Sequence, residues 1–101
     1  MKVIVLQTAD DDLEHIGDFI ARDNPERAFS FVRELRFACQ RLSDAPYGYQ
    51  LVERYREAEI RRRPTGRYLI FYKVFEDRIE VLRILHGRRD HETELFGSDE
   101  T

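Results

Sequence analysis

The sequence predicts an α+β domain in the order β-α-α-β-β-β: an N-terminal strand, then a helical hairpin packed on a mainly antiparallel sheet. Three observations carry that prediction. Tyr68 to Phe75 (YLIFYKVF) is a run of aromatic and branched residues, the composition of a strand covered on most of both faces. Ile79 to Leu85 is a second such run with only Glu80 and Arg83 charged, and the short polar connection through Glu76 and Asp77 makes an antiparallel hairpin the simplest pairing. Upstream, apolar residues recur at helical spacing on both sides of Asn24-Pro25. The domain is assigned to residues 1–90 and an acidic tail to 91–101.

Val3 to Leu6 is a short apolar run and reads as the first strand. Thr8 is placed to cap the helix that follows, with Asp10, Asp11 and Asp12 in its first turn, where the macrodipole favours negative charge. Ala9, Leu13, Ile16 and Ile20 form its buried face, and it is expected to end near Asp23. Asn24 caps the second helix and Pro25 occupies its first position, where a missing N–H costs nothing. Ala28, Phe31, Val32, Leu35, Ala38, Cys39 and Leu42 make its apolar stripe, with Arg27, Glu34 and Arg41 off it. Ser43 to Gln50, with Pro46 and Gly48, is a loop. From about Ala58 the charged segment reads as an exposed strand, with Arg61 and Arg63 on one face and Arg62 on the other. Pro64-Thr65-Gly66 turns the chain into the hairpin. Beyond Asp90, Leu95 and Phe96 are the residues able to fold back onto the sheet.

Composition narrows the function classes. A chain of 101 residues supports one core. No apolar run reaches the ~18 residues of a membrane span, the N-terminus lacks the form of a signal peptide, and a cytoplasmic location is the default expectation. Net charge is −3, unlike a dedicated nucleic-acid binder, but its distribution is uneven. Residues 1–50 balance to −3, residues 51–89 to +5 and residues 90–101 to −5. The sheet half therefore reads as a basic platform suited to an acidic partner.

Motifs for metal, phosphate-loop or serine chemistry are missing. His15, His86 and His91 lie far apart, the single Cys39 sits on a helical core stripe, and the glycines are scattered. Neither Ser30 nor Ser43 has a nucleophile-elbow setting. No metal or cofactor is expected.

The wording Tyr68-Leu69-Ile70-Phe71-Tyr72, followed by Val81-Leu82-Arg83-Ile84-Leu85-His86-Gly87-Arg88-Arg89-Asp90, resembles toxins of the RelE/ParE superfamily of bacterial toxin–antitoxin pairs, the ParE branch most of all. Ala9, Asp12, Leu13, Ile16 and Ile20, then Asn24-Pro25, then Pro46, Gly48, Glu59, Ile60, Arg61 and Pro64 extend the resemblance over about nine tenths of the chain. It implies a toxin without catalytic chemistry of its own, which inhibits DNA gyrase. It also implies a cognate ParD-like ribbon-helix-helix antitoxin that binds the toxin with one segment and operator DNA with another, so that operator contact is indirect. Arg61, Arg62, Arg63, Arg83, His86, Arg88 and Arg89 are the candidates for target binding, because a guanidinium grips carboxylate or phosphate more specifically than an ammonium does. Arg61, Arg63, Tyr68, Ile70, Tyr72, Leu82 and Ile84 are the candidates for antitoxin binding, since two helices cover only one face of the apolar strands.

The alternative is the RelE branch, a ribosome-dependent mRNA endoribonuclease. There Arg61, Arg63, Arg67 and Arg83 would stabilise phosphate, and Glu59 or His86 would carry protons. The segment after Leu85 has no tyrosine and the sheet half has the single lysine Lys73, which weighs against it.

Overall fold

In the computed structural model, residues 1–88 are described; Arg89, Asp90 and the 91–101 tail, with Leu95 and Phe96, lie outside them. The elements are β1 (Lys2–Val5), α1 (Gln7–Ala21), α2 (Pro25–Gln40), β2 (Ile60–Thr65), β3 (Tyr68–Val74) and β4 (Arg78–His86), with short 3-10 turns at Arg41–Asp44 and Glu53–Tyr55. The predicted order of one strand, two helices and three strands is the observed one. The sheet has four strands ordered β1-β4-β3-β2. β1 runs parallel to β4, and the other two pairings are antiparallel.

The α2 cap forms as expected: Asn24 Oδ1 accepts from the Arg27 N–H at 3.0 Å, and Pro25 opens the helix. The α1 cap differs. Leu6 occupies the cap position without a side-chain bond, and only Asp10 of the acidic run lies in the first turn. Thr8 instead donates its hydroxyl to the Leu82 carbonyl at 2.9 Å. Its preference for a helix start is overridden by a tertiary acceptor on the neighbouring strand. α1 also ends at Ala21, short of Asp23.

Both helices pack on one sheet face. Leu13, Ile16, Phe31, Leu35 and Cys39 meet Ile70, Tyr72, Ile79, Val81 and Ile84 in a single cluster. The other face carries Leu69, Phe71 and Leu85, packed with Val52, Ile60, Tyr55, Ala58 and Leu82. The 51–59 segment thus covers part of the second face, and β2 begins at Ile60 rather than Ala58, with Pro64 and Thr65 still inside it. Outside β2, residues 50–52 continue the pairing through the Leu51–Arg61 bridge and the Val52 N–H to Ile60 O bond at 2.7 Å. That partial second partner shields the outer edge of a strand that the charged sequence alone marks as exposed.

β4 carries the irregularity that positions Arg83. Phe71 pairs with Arg83 while the next residue, Tyr72, pairs with Val81, so Leu82 is an extra residue in a bulge. Val81 and Ile84, three apart, therefore both face the helices. β1 pairs with β4 only as far as Val81. Past that point the start of α1 takes over as edge partner: Leu6 N–H donates to Val81 O at 3.0 Å, Thr8 to Leu82 O, and the Asp12 carboxylate accepts from the Ile84 N–H at 2.9 Å.

Candidate target-binding surface

The arginines of the predicted platform go to different places. Strand alternation holds in β2: Arg61 and Arg63 pair with Tyr72 and Ile70 on the helix side, and Arg62 pairs with Phe71 on the other. The two helix-side guanidinium groups are occupied within the chain. Arg61 donates to the Tyr49 carbonyl at 2.8 Å and lies over the Tyr47 ring, 5.2 Å from its centroid. Arg63 donates to the Ala38 carbonyl at 2.9 Å, near the C-terminus of α2, and lies 5.3 Å from the Tyr49 ring centroid. Tyr49 in turn meets Tyr72 edge-on, and the Tyr72 hydroxyl donates to the Pro46 carbonyl at 2.8 Å. Together these contacts fasten the 41–50 loop to the sheet.

Arg83 is likewise occupied. Its Nε and Nη2 donate to the two Asp12 oxygens at 2.8 and 2.9 Å, the fork geometry that suits guanidinium to carboxylate. Asp12, assigned from sequence to the helix start, is a buried anion satisfied by Arg83 and the Ile84 N–H. A signal for this existed. Asp12 is three residues after Ala9 and four before Ile16, on the same stripe, and an acid there requires a partner.

Three of the residues expected to meet an antitoxin are closed off. Ile70, Tyr72 and Ile84, named from sequence for antitoxin binding, are at most 1% exposed and lie in the core beneath the helices. The alternation of the strands was readable, but which face the helices would take was not. Tyr68 is half-buried against Phe31 and His86, with ring centroids 5.7 and 5.2 Å away. Leu82 is half-buried on the second face.

Near the predicted platform, solvent-facing cations among the described residues include those of two hollows. At the outer edge of β2 a hollow of about 450 Å³ is lined by Gln50, Leu51, Val52, Glu53, Arg56, Arg61 and Arg62. Among the described residues Arg62 makes a single side-chain bond, 3.3 Å to the Gln50 side chain, while Arg56 pairs with Glu53 on the surface. At the far end of the β3–β4 hairpin a cleft of about 540 Å³ runs between α1 and β4, past His15, Phe19, Arg22, Tyr68 and His86. Next to it lie Arg67, which has no ion pair among the described residues, and the exposed Arg88, whose N–H donates to His86 Nδ1 at 3.1 Å. Arg56 is not singled out from sequence, whereas Arg67, beside the turn residue Gly66, is named there only for the ribonuclease alternative. Arg89 lies outside the described residues.

Among the described residues no group of three His, Cys, Asp or Glu side chains converges. Burial pushes the Cys39 thiol up to about 11, so it stays protonated. Burial likewise raises the Tyr72 phenol to about 12, partly opposed by Arg61. Among the described residues no helix is long and apolar enough to cross a membrane.

Comparison with known proteins agrees with this geometry. The family model for the ParE toxin of type II toxin-antitoxin system, parDE, matches residues 3–91. A solved structure of a chromosomal ParDE TA system from P. aeruginosa superposes with a TM-score of 0.71 at 20% identity, covering 85% of this chain and 95% of that one, a likeness of fold. No curated protein matches. On the strength of a family match spanning nearly its whole length, the chain belongs to the ParE toxin family of type II toxin–antitoxin systems.

Proposed function

We propose that this toxin acts by binding rather than by catalysis: it inhibits DNA gyrase and is neutralised by a cognate ParD-like ribbon-helix-helix antitoxin in the same cytoplasm. The observation that carries the reading is the family match over residues 3–91, with the strand order and helical hairpin in place. The ParDE neighbour supports a partner of this class.

The geometry narrows the working residues. Arg61, Arg63 and Arg83 have their donors directed into the chain itself, so target contact falls to Arg62 on the second face and to His86 and Arg88 at the hairpin end. Arg61 and Arg62 pair on opposite faces, so Arg61 to Arg63 do not form one patch for an acidic antitoxin; of the antitoxin candidates, Arg61, Arg63, Tyr68 and Leu82 keep part of their area exposed. The ribonuclease alternative draws no support. Arg61 and Arg83 sit on strands separated by β3, roughly 9–10 Å apart in backbone terms, and Arg83 is turned to Asp12.

The test is a supercoiling assay with purified protein and gyrase in the absence of ribosomes, run beside a growth assay. Inhibition and growth arrest are expected, both relieved by the antitoxin encoded beside the toxin. Growth arrest with normal supercoiling and codon-positioned mRNA cuts on ribosomes would overturn the reading.

A further inference from the structure

The outer face of the helical hairpin has no role in the binding surface above, yet it is built in two rails. Along α1, Asp10, Glu14 and Asp18 follow at four-residue intervals; along α2, Phe29, Arg33 and Phe37 do the same. A shallow groove of about 500 Å³ runs between them over Leu13, Gly17 and Val32. The helices approach closely there, since a Cβ on Gly17 would come within 3.2 Å of Val32 Cγ2. Phe29 and Phe37 are 68% and 63% exposed, and Arg33 reaches over the Phe29 ring. Arg36 already pairs with Asp10 at 2.7 Å. Glu14, Asp18 and Arg33 make no ion pair among the described residues.

An acidic rail beside an aromatic, arginine-bearing rail does not suit a partner of one charge. It suits its own copy. A two-fold axis parallel to the helices lays α1 of one protomer over α2 of the other, setting the acidic rail of each copy against the arginine-bearing rail of the other, so that the contact is made twice. The perpendicular two-fold sets acid on acid and is disfavoured. We propose that this face is a docking surface for a second copy of the chain, forming a four-helix interface that buries both exposed phenylalanines. Helices of 15 and 16 residues give a face about 23 Å long. At a usual helix spacing it is about 20 Å wide, or on the order of 450 Å² per protomer. Over both partners that is about 900 Å², below the roughly 1,200 Å² at which stable specific pairing begins, so association should be weak, reversible and concentration-dependent.

The test is light scattering or sedimentation on the full chain over a hundredfold concentration range, with Glu14→Arg, Arg33→Glu and the double reversal. The expected mass rises from 12.1 kDa toward twice that value. Each single reversal should weaken association by at least tenfold, because the symmetry introduces every like-charge contact twice, and the double reversal should restore it. Thermal melts of all four proteins check that the fold is kept. A chain that stays monomeric throughout, or single reversals that associate like the parent, would overturn the proposal. A monomer whose single reversals instead lose antitoxin binding would also overturn it and give the face to that partner.

Discussion

Asp12→Ala is expected to cost about 3 kcal/mol of folding stability, far more than the loss of a surface carboxylate. Asp12 is 8% exposed and accepts three hydrogen bonds, two from Arg83 and one from the Ile84 N–H. Removing one member of a buried pair generally costs ~3–5 kcal/mol, because the other charge is left without compensation. The Arg83 side chain is 25% exposed, so water recovers part of that and the lower end applies. The Ile84 N–H, at a strand edge where β1 has already ended, adds ~1–3 kcal/mol if it loses its acceptor, although relaxation of the α1 start reduces this too. Asp12→Asn keeps one acceptor and should cost about half as much. The measurement is urea unfolding of Asp12→Ala, Arg83→Ala and the double variant, with the midpoint shifted and the slope unchanged. The double variant should cost at least ~1.5 kcal/mol less than the sum of the singles. Asp12→Ala within ~0.5 kcal/mol of the parent, or an additive double variant, would refute the argument.

Arg62→Glu should leave stability within ~0.5 kcal/mol of the parent while weakening growth arrest, whereas Arg63→Ala should lower stability by about 1–2 kcal/mol through loss of its charged bond to Ala38 O, and urea melts run beside growth curves separate the two. Cys39 should resist thiol reagents in the native state and react once urea unfolds the chain. Because its folded pKa is about 11 against an ordinary 9.0, the native state holds the proton more tightly. The stability this gives is complete below pH 9.0 and falls by about 3 kcal/mol as pH rises to about 11, with Tyr72 extending the loss toward about 12. Cys39→Ala should flatten the first part of that alkaline slope. Glu59 has φ of 61°, so Glu59→Gly should gain ~0.5–1 kcal/mol by relieving the left-handed backbone, while Gly66→Ala, at φ of 60°, should lose about 1 kcal/mol in the same melts.

The features legible in the sequence were those fixed by local spacing. The Asn24-Pro25 start, the stripe from Ala28 to Leu42 and the paired runs of β3 and β4 follow from periodicity and capping chemistry, which act within a few residues. Three features did not follow. Thr8 has the residue type of a cap, and only the approach of β4 supplies the carbonyl that draws it away. The parallel pairing of β1 with β4 depends on a crossover of both helices, which no local pattern encodes. The bulge at Leu82 shifts the phase of β4, and strict alternation cannot anticipate which of Leu82 and Arg83 leaves the ladder.

The same limit explains why the binding surface was the least legible part. Arginines read identically in a sequence whether they meet solvent, a backbone carbonyl or a buried acid. Here the β2 alternation sends Arg61 and Arg63 toward the 41–50 loop and α2, where free carbonyls outcompete water for their donors, and the stripe phase of α1 aims Asp12 at Arg83. A guanidinium already satisfied by its own chain must lose those bonds before it can grip a target, at ~1–3 kcal/mol each for charge-assisted bonds. Arg62, which among the described residues gives up one long bond to Gln50, and Arg88, which is exposed, have little to lose. Contact with a target should therefore select them first. Loss of activity in Arg61, Arg63 or Arg83 variants should track loss of fold.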